Sequence, residues 1–168
     1  MLISKKYRKM NAEMHEDLLG YGANGWMWIG PIIHFMRMLS CKTLLDYGAG
    51  KATLAAWMPK EYPVVNYDPV TFPDDPPAQD FVVCLDVLEH IEPELLDNVL
   101  HHLHDKTKVA AFVVISLREA KKVLSDGRNA HLIVQPAQFW YDKFNTLFRK
   151  VEHVAIGRMD ELVLVAVR

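Results

Sequence analysis

Apolar residues recur along this chain with two different spacings, and the switch between them predicts its elements. Tyr7, Met10, Met14 and Leu18 fall three and four apart, which predicts a helix over 5–19. Gly20, Gly22 and Gly25 interrupt it, and a second helix is expected over about 26–39, with Pro31 in its first turns. From residue 43 the apolar residues come in short runs instead. "TLLDY" (43–47), "PVVNYD" (63–68), "FVVCLD" (81–86) and "VAAFVVIS" (109–116) read as strands. The last two are apolar without alternation, as strands buried on both faces are. Helices are expected over 51–58, ending at Pro59, over 93–106 with an apolar stripe from Leu95 to Leu103, and over 136–148. "VEHVAIG" and "ELVLVAVR" close the chain as an antiparallel hairpin around a short Arg-Met-Asp turn.

This order implies an α/β fold with a doubly wound, mostly parallel sheet, two N-terminal helices and a C-terminal antiparallel hairpin. Ligands of such sheets bind at the carboxyl ends of the strands. Residues 69–79, "PVTFPDDPPAQ", hold four prolines and can form neither a helix nor a central strand. The 117–135 connection has little periodicity.

The 168 residues predict one domain, 1–168, with a helical cap (1–40) on a ligand-binding core (41–168). A net charge of −2 argues against a large nucleic-acid footprint. The local exception is Lys5-Lys6-Tyr7-Arg8-Lys9, either a solvated helix face or a contact for a partner. Cys41 and Cys84 form no Cys-x-x-Cys pair, so a reduced, cytoplasmic setting is expected. The start lacks an apolar signal segment, and Trp26–Met38 is too short and too polar to span a bilayer, so no membrane partner is expected.

The stretch that carries chemistry is "DYGAGKAT", 46–53, just after the first strand. A triphosphate loop would need glycine where Leu45 stands and a hydroxyl where Ala52 stands. A dinucleotide turn would need a third glycine at Thr53. An acid at the strand end followed by Gly-x-Gly and a small residue fits. Asp46, Gly48, Gly50 and Ala52 resemble motif I of the class I S-adenosylmethionine-dependent methyltransferases. The resemblance extends over about 43–168. Asp68, 20 residues after Gly48, matches the acid that accepts the ribose hydroxyls, and "DFVVCLDVLEHI" is similar to motif IV.

The resemblance implies a Rossmann-like fold and S-adenosylmethionine as cofactor. It places Asp46, Gly48, Ala49 and Gly50 at the cofactor, with Asp68 and Pro69 at the ribose and Leu85 and Asp86 at the methionine part. Tyr21 is expected to touch the cofactor from the N-terminal cap. The family's helix and third strand between the ribose acid and motif IV are missing, so the sheet should be one strand shorter on that edge. The adenine pocket should then be built from the 69–79 loop.

The acceptor is read from two further stretches. "DDPPA" (74–78) is misplaced and lacks the aromatic of DNA amino-methyltransferases, and no Pro-Cys nucleophile is present. Asp86-x-x-Glu89-His90 resembles the Glu-x-x-Glu-His of ubiquinone-biosynthesis O-methyltransferases and small-RNA 3′-terminal 2′-O-methyltransferases. There the motif and a later His hold a divalent metal. Carried over, Asp86, Glu89, His90 and His131 are the expected ligands and catalytic groups. Arg128 and Asn129, in "DGRNAHL", are expected to face the substrate; the bland reading is that they shape a turn. His101, His102 and His104 are expected to be exposed.

The leading expectation is O-directed methyl transfer to a small polar acceptor. The alternatives are methylation of RNA or a modified nucleotide, supported only by the Lys5–Lys9 run, and a cofactor-binding module without catalysis.

Overall fold

The structure is a computed structural model that describes residues 1–17, 25–156 and 158–168. Six strands form one sheet: β1 (Leu44–Tyr47), β2 (Val64–Tyr67), β3 (Gln79–Leu85), β4 (Thr107–Ser116), β5 (Lys150–His153) and β6 (Glu161–Val167). Their order is β2-β1-β3-β4-β6-β5. The first four are parallel, and β6 runs antiparallel between β4 and β5. The helices are α1 (Lys5–Asp17), α2 (Ile29–Met38), α3 (Thr53–Trp57), α4 (Leu96–Lys106) and α5 (Ala137–Asn145). Short 3-10 turns cover Gly25–Trp28, Leu88–His90 and Pro93–Leu95. No helix among the described residues is long and apolar enough to cross a membrane.

Central strands without polar alternation are explained by helices on both faces. Val82, Cys84, Ala111, Val113 and Ile115 pack toward α4 and α5, against Leu100, Leu103, Trp140 and Phe144. Their sequence neighbours Phe81, Val83, Ala110, Phe112 and Val114 pack toward α2 and α3, against Trp28, Ile32, Met36 and Leu54. Successive side chains of a strand leave on opposite faces, so each face receives its own apolar set. Each such side chain contributes about 1.5–3 kcal/mol by leaving water.

The edge is as the prolines require. β2 is the outermost strand, and 68–78 carries the chain to β3 without a helix or further strand. Side chains fasten this loop. Asp75 accepts hydrogen bonds from Lys106 Nζ (2.7 Å) and pairs with His102 Nε2 (2.9 Å), both on α4. His102 Nδ1 meets the buried Tyr47 hydroxyl at 2.9 Å. His102 and His104 are thus half-buried, against the expectation of exposure; only His101 is exposed. His102 fills the gap between β1 and the loop, its ring tilted against those of Tyr47 and Tyr67.

Element limits differ from the periodic reading where backbone conformation intervenes. Helix α3 starts at Thr53, because Gly50 (φ 51°) and Ala52 (φ 54°) are left-handed and no helix passes through them. Lys51 therefore lies in the turn. The hairpin connection runs over 154–160, longer than a three-residue turn. The expected helical positions 18 and 19, and Tyr21, lie outside the described residues.

Helix α1 is N-capped by Ser4, whose hydroxyl accepts the Tyr7 amide (3.1 Å). Glu92 holds Ser4 in turn, accepting its backbone N–H at 2.8 Å and its hydroxyl at 2.6 Å. Tyr7 and Met10 pack with Leu124 and Ala130 in a small apolar cluster of their own. This docks α1 onto the 117–135 connection.

Candidate active site

A cavity of about 510 Å³ opens at the carboxyl ends of β1, β2, β3 and β4, with α1 along its rim. That is the size class of a drug-like ligand. Asp46, Gly48, Ala49, Gly50, Asp68, Pro69, Leu85 and Asp86 all line it. These positions are far apart in the chain, and the parallel register brings them to one end of the sheet. Of the 69–79 loop only Pro69 reaches the wall, so the loop supplies less of the pocket than expected.

The glycine turn is held by the neighbouring strand. The Gly48 and Ala49 amides donate to the Tyr67 carbonyl at 2.8 and 3.0 Å. Gly48 has φ 84°, and a Cβ there would lie 2.4 Å from Val87 Cγ2. The glycine is thus required by the motif IV turn, which packs directly on the motif I turn. Asp68 accepts the Gly50 amide on one oxygen (3.3 Å) and the Val70 and Thr71 amides on the other (2.8 and 3.1 Å). Thr71 Oγ1 donates to the Gly50 carbonyl at 2.7 Å. The carboxylate is therefore fixed in place, and its oxygens retain lone pairs for further donors. Asp46 is 5% exposed, and burial followed by the nearby Asp68 charge raises its carboxyl to about 7.

Asp86 takes a left-handed conformation (φ 53°), with its amide bonded to the Val114 carbonyl (3.0 Å). Its carboxyl opens into the cavity, and burial by the walls, then Glu161, raise it to about 6. Glu89 is fully buried on the Leu88–His90 turn. Its Oε1 accepts the Ser116 amide (2.9 Å), while Oε2 is buried with no hydrogen-bond partner. Burial, then Asp86, raise this carboxyl to about 8.

Glu89, His90 and His131 form a group whose ligand atoms all lie within 4.8 Å of one another. The rings of His90 and His131 meet edge to face at 4.7 Å. His90 Nδ1 lies 2.7 Å from the Ala130 carbonyl, and His131 Nδ1 lies 2.6 Å from the Arg118 carbonyl. A carbonyl only accepts, so each Nδ1 carries a proton, and in the neutral ring the lone pair lies on Nε2. This is the arrangement in which a histidine binds a metal through Nε2. Asp86 is not in the group. The expected helical turn begins at Leu88 instead of 86, so the three- and four-residue spacings from Asp86 do not share a face.

Arg128 and Asn129 do not line the cavity. Arg128 is paired with Asp126 (3.0 Å). Asn129 stitches its own loop, accepting the Ala120 and His131 amides and donating to the Ala120 carbonyl. Asn129 thereby ties the His131 backbone to its loop, whereas Arg128 contacts Asp126. The cavity wall instead includes Arg118, Lys121, Lys122 and Arg158, and also Asn11 of α1. In the sequence these are ordinary charged loop residues, with no motif to mark them.

The sequence matches the family model described as a methyltransferase domain over residues 29–154. No curated protein matches it. Solved structures share the fold at low identity. The 1,6-didemethyltoxoflavin N1-methyltransferase of Burkholderia thailandensis, with its acceptor and S-adenosylhomocysteine bound, is 15% identical with a TM-score of 0.66. The match covers 96% of this chain and 86% of that one. Magnesium protoporphyrin IX methyltransferase from Synechocystis PCC 6803, with S-adenosylmethionine bound, is 14% identical with a TM-score of 0.60, covering 89% and 80%. An O-methyltransferase family protein from B. thailandensis is 11% identical with a TM-score of 0.59. The match covers 99% of this chain but 63% of that longer protein.

Proposed function

This chain belongs to the methyltransferase-domain family, and on that premise we propose that it moves the methyl group of S-adenosylmethionine to a hydroxyl of a small polar acceptor. The observation that carries the acceptor reading is the Glu89–His90–His131 group, with the unpartnered Glu89 Oε2, in the same cavity as the glycine turn and Asp68. The same fold carries N-methylation in the toxoflavin enzyme, so the choice of oxygen rests on this group.

The ribose hydroxyls donate to Asp68, and the glycine turn lets the cofactor lie against the ends of β1 and β2. Asp46 faces the positive charges of the cofactor, which favour its ionised form. Glu89, His90 and His131 fit a divalent ion, because a buried oxygen without a partner and two oriented Nε2 lone pairs match its needs. Such an ion, when bound, would orient the acceptor hydroxyl and lower its pKa. Asp86 holds the proton that leaves the hydroxyl, being a stronger base than an ordinary carboxylate. The acceptor oxygen forms a bond to the methyl carbon as the carbon–sulfur bond breaks, and the bonding pair stays on sulfur. Alignment of donor and acceptor supplies most of the acceleration, up to about 7–11 kcal/mol.

Calorimetry with S-adenosylhomocysteine tests the cofactor reading: Asp68→Ala should abolish most binding. Manganese titration tests the ion site. His131→Ala should lose a site that the unaltered protein fills, with cofactor affinity unchanged. Methyl transfer confined to amines in an acceptor panel would overturn the hydroxyl reading.

A further inference from the structure

The cavity wall is divided by charge. At the ends of β1 and β2 it holds Asp46 and Asp68, which serve the cofactor in the reading above. At the far end, past β4, it holds Arg118, Lys121, Lys122 and Arg158. Two segments remote in sequence supply these cations, and the sheet brings them together. Ser116, the last residue of β4, pairs with Glu161, the first of β6. The Leu117 amide donates to the Asp160 carbonyl at 2.8 Å, so 117–122 and 158–160 meet at one corner of the sheet. Segment 118–122 also runs beside 129–131. The Arg118 carbonyl meets His131 Nδ1 at 2.6 Å, and the Lys122 carbonyl accepts the Ala130 amide at 3.0 Å. The cations thus flank the Glu89–His90–His131 group.

The acids at this end do not cancel them. Arg118 pairs with Asp160 and Arg158 with Glu161, each through Nε, and a guanidinium has further N–H donors. Asp86 is the third acid: burial and then Glu161 raise its carboxyl, while Arg158 and Arg118 oppose that shift. Glu89 belongs to the ion group, where a divalent ion more than balances it. Glu92 is committed to Ser4, and Glu119 does not line the cavity. Lys121 is exposed at the rim and has no ion pair or hydrogen bond among the described residues. A positive charge is therefore left over beside the place where the acceptor must lie.

We infer that the acceptor carries an anionic group, a carboxylate or a phosphate, besides its hydroxyl. The anion lies on Arg118, Lys121 and Arg158, and the hydroxyl reaches the ion group beside them. The identity of the methylated group rests on the hydroxyl reading given above; the anion subsite stands on the placement of the cations. Charge-assisted hydrogen bonds of this kind fix orientation as well as affinity, so the anion turns the hydroxyl toward the methyl group.

The test is calorimetric titration of matched pairs into the protein saturated with S-adenosylhomocysteine, with and without manganese. The pairs are 3,4-dihydroxybenzoate with 3,4-dihydroxybenzamide, and glycerol 3-phosphate with glycerol. The anion should bind about ten-fold tighter than its neutral partner, and the pair with the larger ratio separates carboxylate from phosphate. Lys121→Ala should weaken the anion about three- to five-fold and leave the neutral compound and S-adenosylhomocysteine unchanged. Lys60→Glu, outside the cavity, should change none of them. Equal binding within both pairs, or no anion binding at about 10 mM, would overturn the proposal. So would a preference that Lys121→Ala leaves intact. A matching loss of S-adenosylhomocysteine affinity would also overturn it, by assigning Lys121 to the carboxylate of the cofactor. Methyl transfer then separates the two readings. Neutral hydroxyl compounds methylated in preference to acids would remove the anion subsite and leave the hydroxyl reading. If 3,4-diaminobenzoate is methylated where 3,4-dihydroxybenzoate is not, with the Lys121 effect retained, the hydroxyl reading falls and the anion subsite stands.

Discussion

Cofactor affinity should depend on pH through Asp46. Its carboxyl is 5% exposed and sits beside Asp68, and these two causes hold its proton to about pH 7. The ligand brings a sulfonium and an ammonium, which the carboxylate attracts and the neutral acid does not. Binding below pH 7 therefore expels one proton. If the bound carboxyl stays ionised throughout, affinity should fall about 25-fold from pH 7.5 to 5.5, or about 1.9 kcal/mol. The range stops at about 7.5 because the α-amino group of the ligand begins to lose its own charge near 7.7–8.0. Calorimetry in buffers of different ionisation enthalpy measures the affinity and the proton release together. Asp46→Asn should bind weakly at every pH and release no proton.

The same carboxyl has an opposite effect on the ligand-free fold. Unfolded Asp46 loses its proton near 3.8, and folded Asp46 keeps it to about 7. Between these values the unfolded chain binds fewer protons, so stability falls as pH rises from about 4 to 7 and levels off above. The shift corresponds to an upper limit on the order of 4 kcal/mol. Asp46→Asn should therefore melt higher than the unaltered protein at pH 7.5 while binding cofactor less well. Affinity that is flat with pH, or a pH dependence retained in Asp46→Asn, would refute the reasoning.

Three further substitutions probe the frame of the site. Gly48→Ala combines a left-handed backbone with a 2.4 Å approach to Val87 Cγ2, and should cost about 2–4 kcal/mol in urea denaturation. Adding Val87→Ala should recover the contact part of that loss and leave the backbone part. Ala52→Gly relieves a left-handed alanine (φ 54°) and should raise stability by about 0.5–1 kcal/mol in the same assay. His102→Ala leaves the buried Tyr47 hydroxyl without its partner, and should cost about 1–3 kcal/mol. It should also speed proteolysis within 69–79, because Asp75 loses one of its two anchors on α4.

Much of this molecule is written in short-range patterns. The apolar runs at 81–86 and 109–116 are strands covered on both faces because nothing else would tolerate so few polar residues. The prolines of 69–79 forbid a further strand, which makes β2 the edge. Asp46 was legible at the end of a strand, and the glycine turn and Asp68 because each follows a strand directly, and parallel strands end on one side. Where chain direction and local conformation suffice, sequence suffices.

What the sequence left open depends on how remote segments meet. Glu89, His90 and His131 form a group only because the 117–135 connection folds back, with Asn129 tying it to Ala120 and the Ala130 and Arg118 carbonyls turning both rings. Asp86 falls outside that group because one left-handed residue separates the strand from the turn, a conformation that no spacing reveals. His102 looked like a solvent-facing helix residue until Tyr47 and Asp75 closed on it from either side. The docking of α1 on the 117–135 connection is the same kind of fact, since the two segments lie more than a hundred residues apart in the chain. Charge is local in sequence, but its field belongs to whatever surface the core packing of Tyr7, Met10, Leu124 and Ala130 assembles.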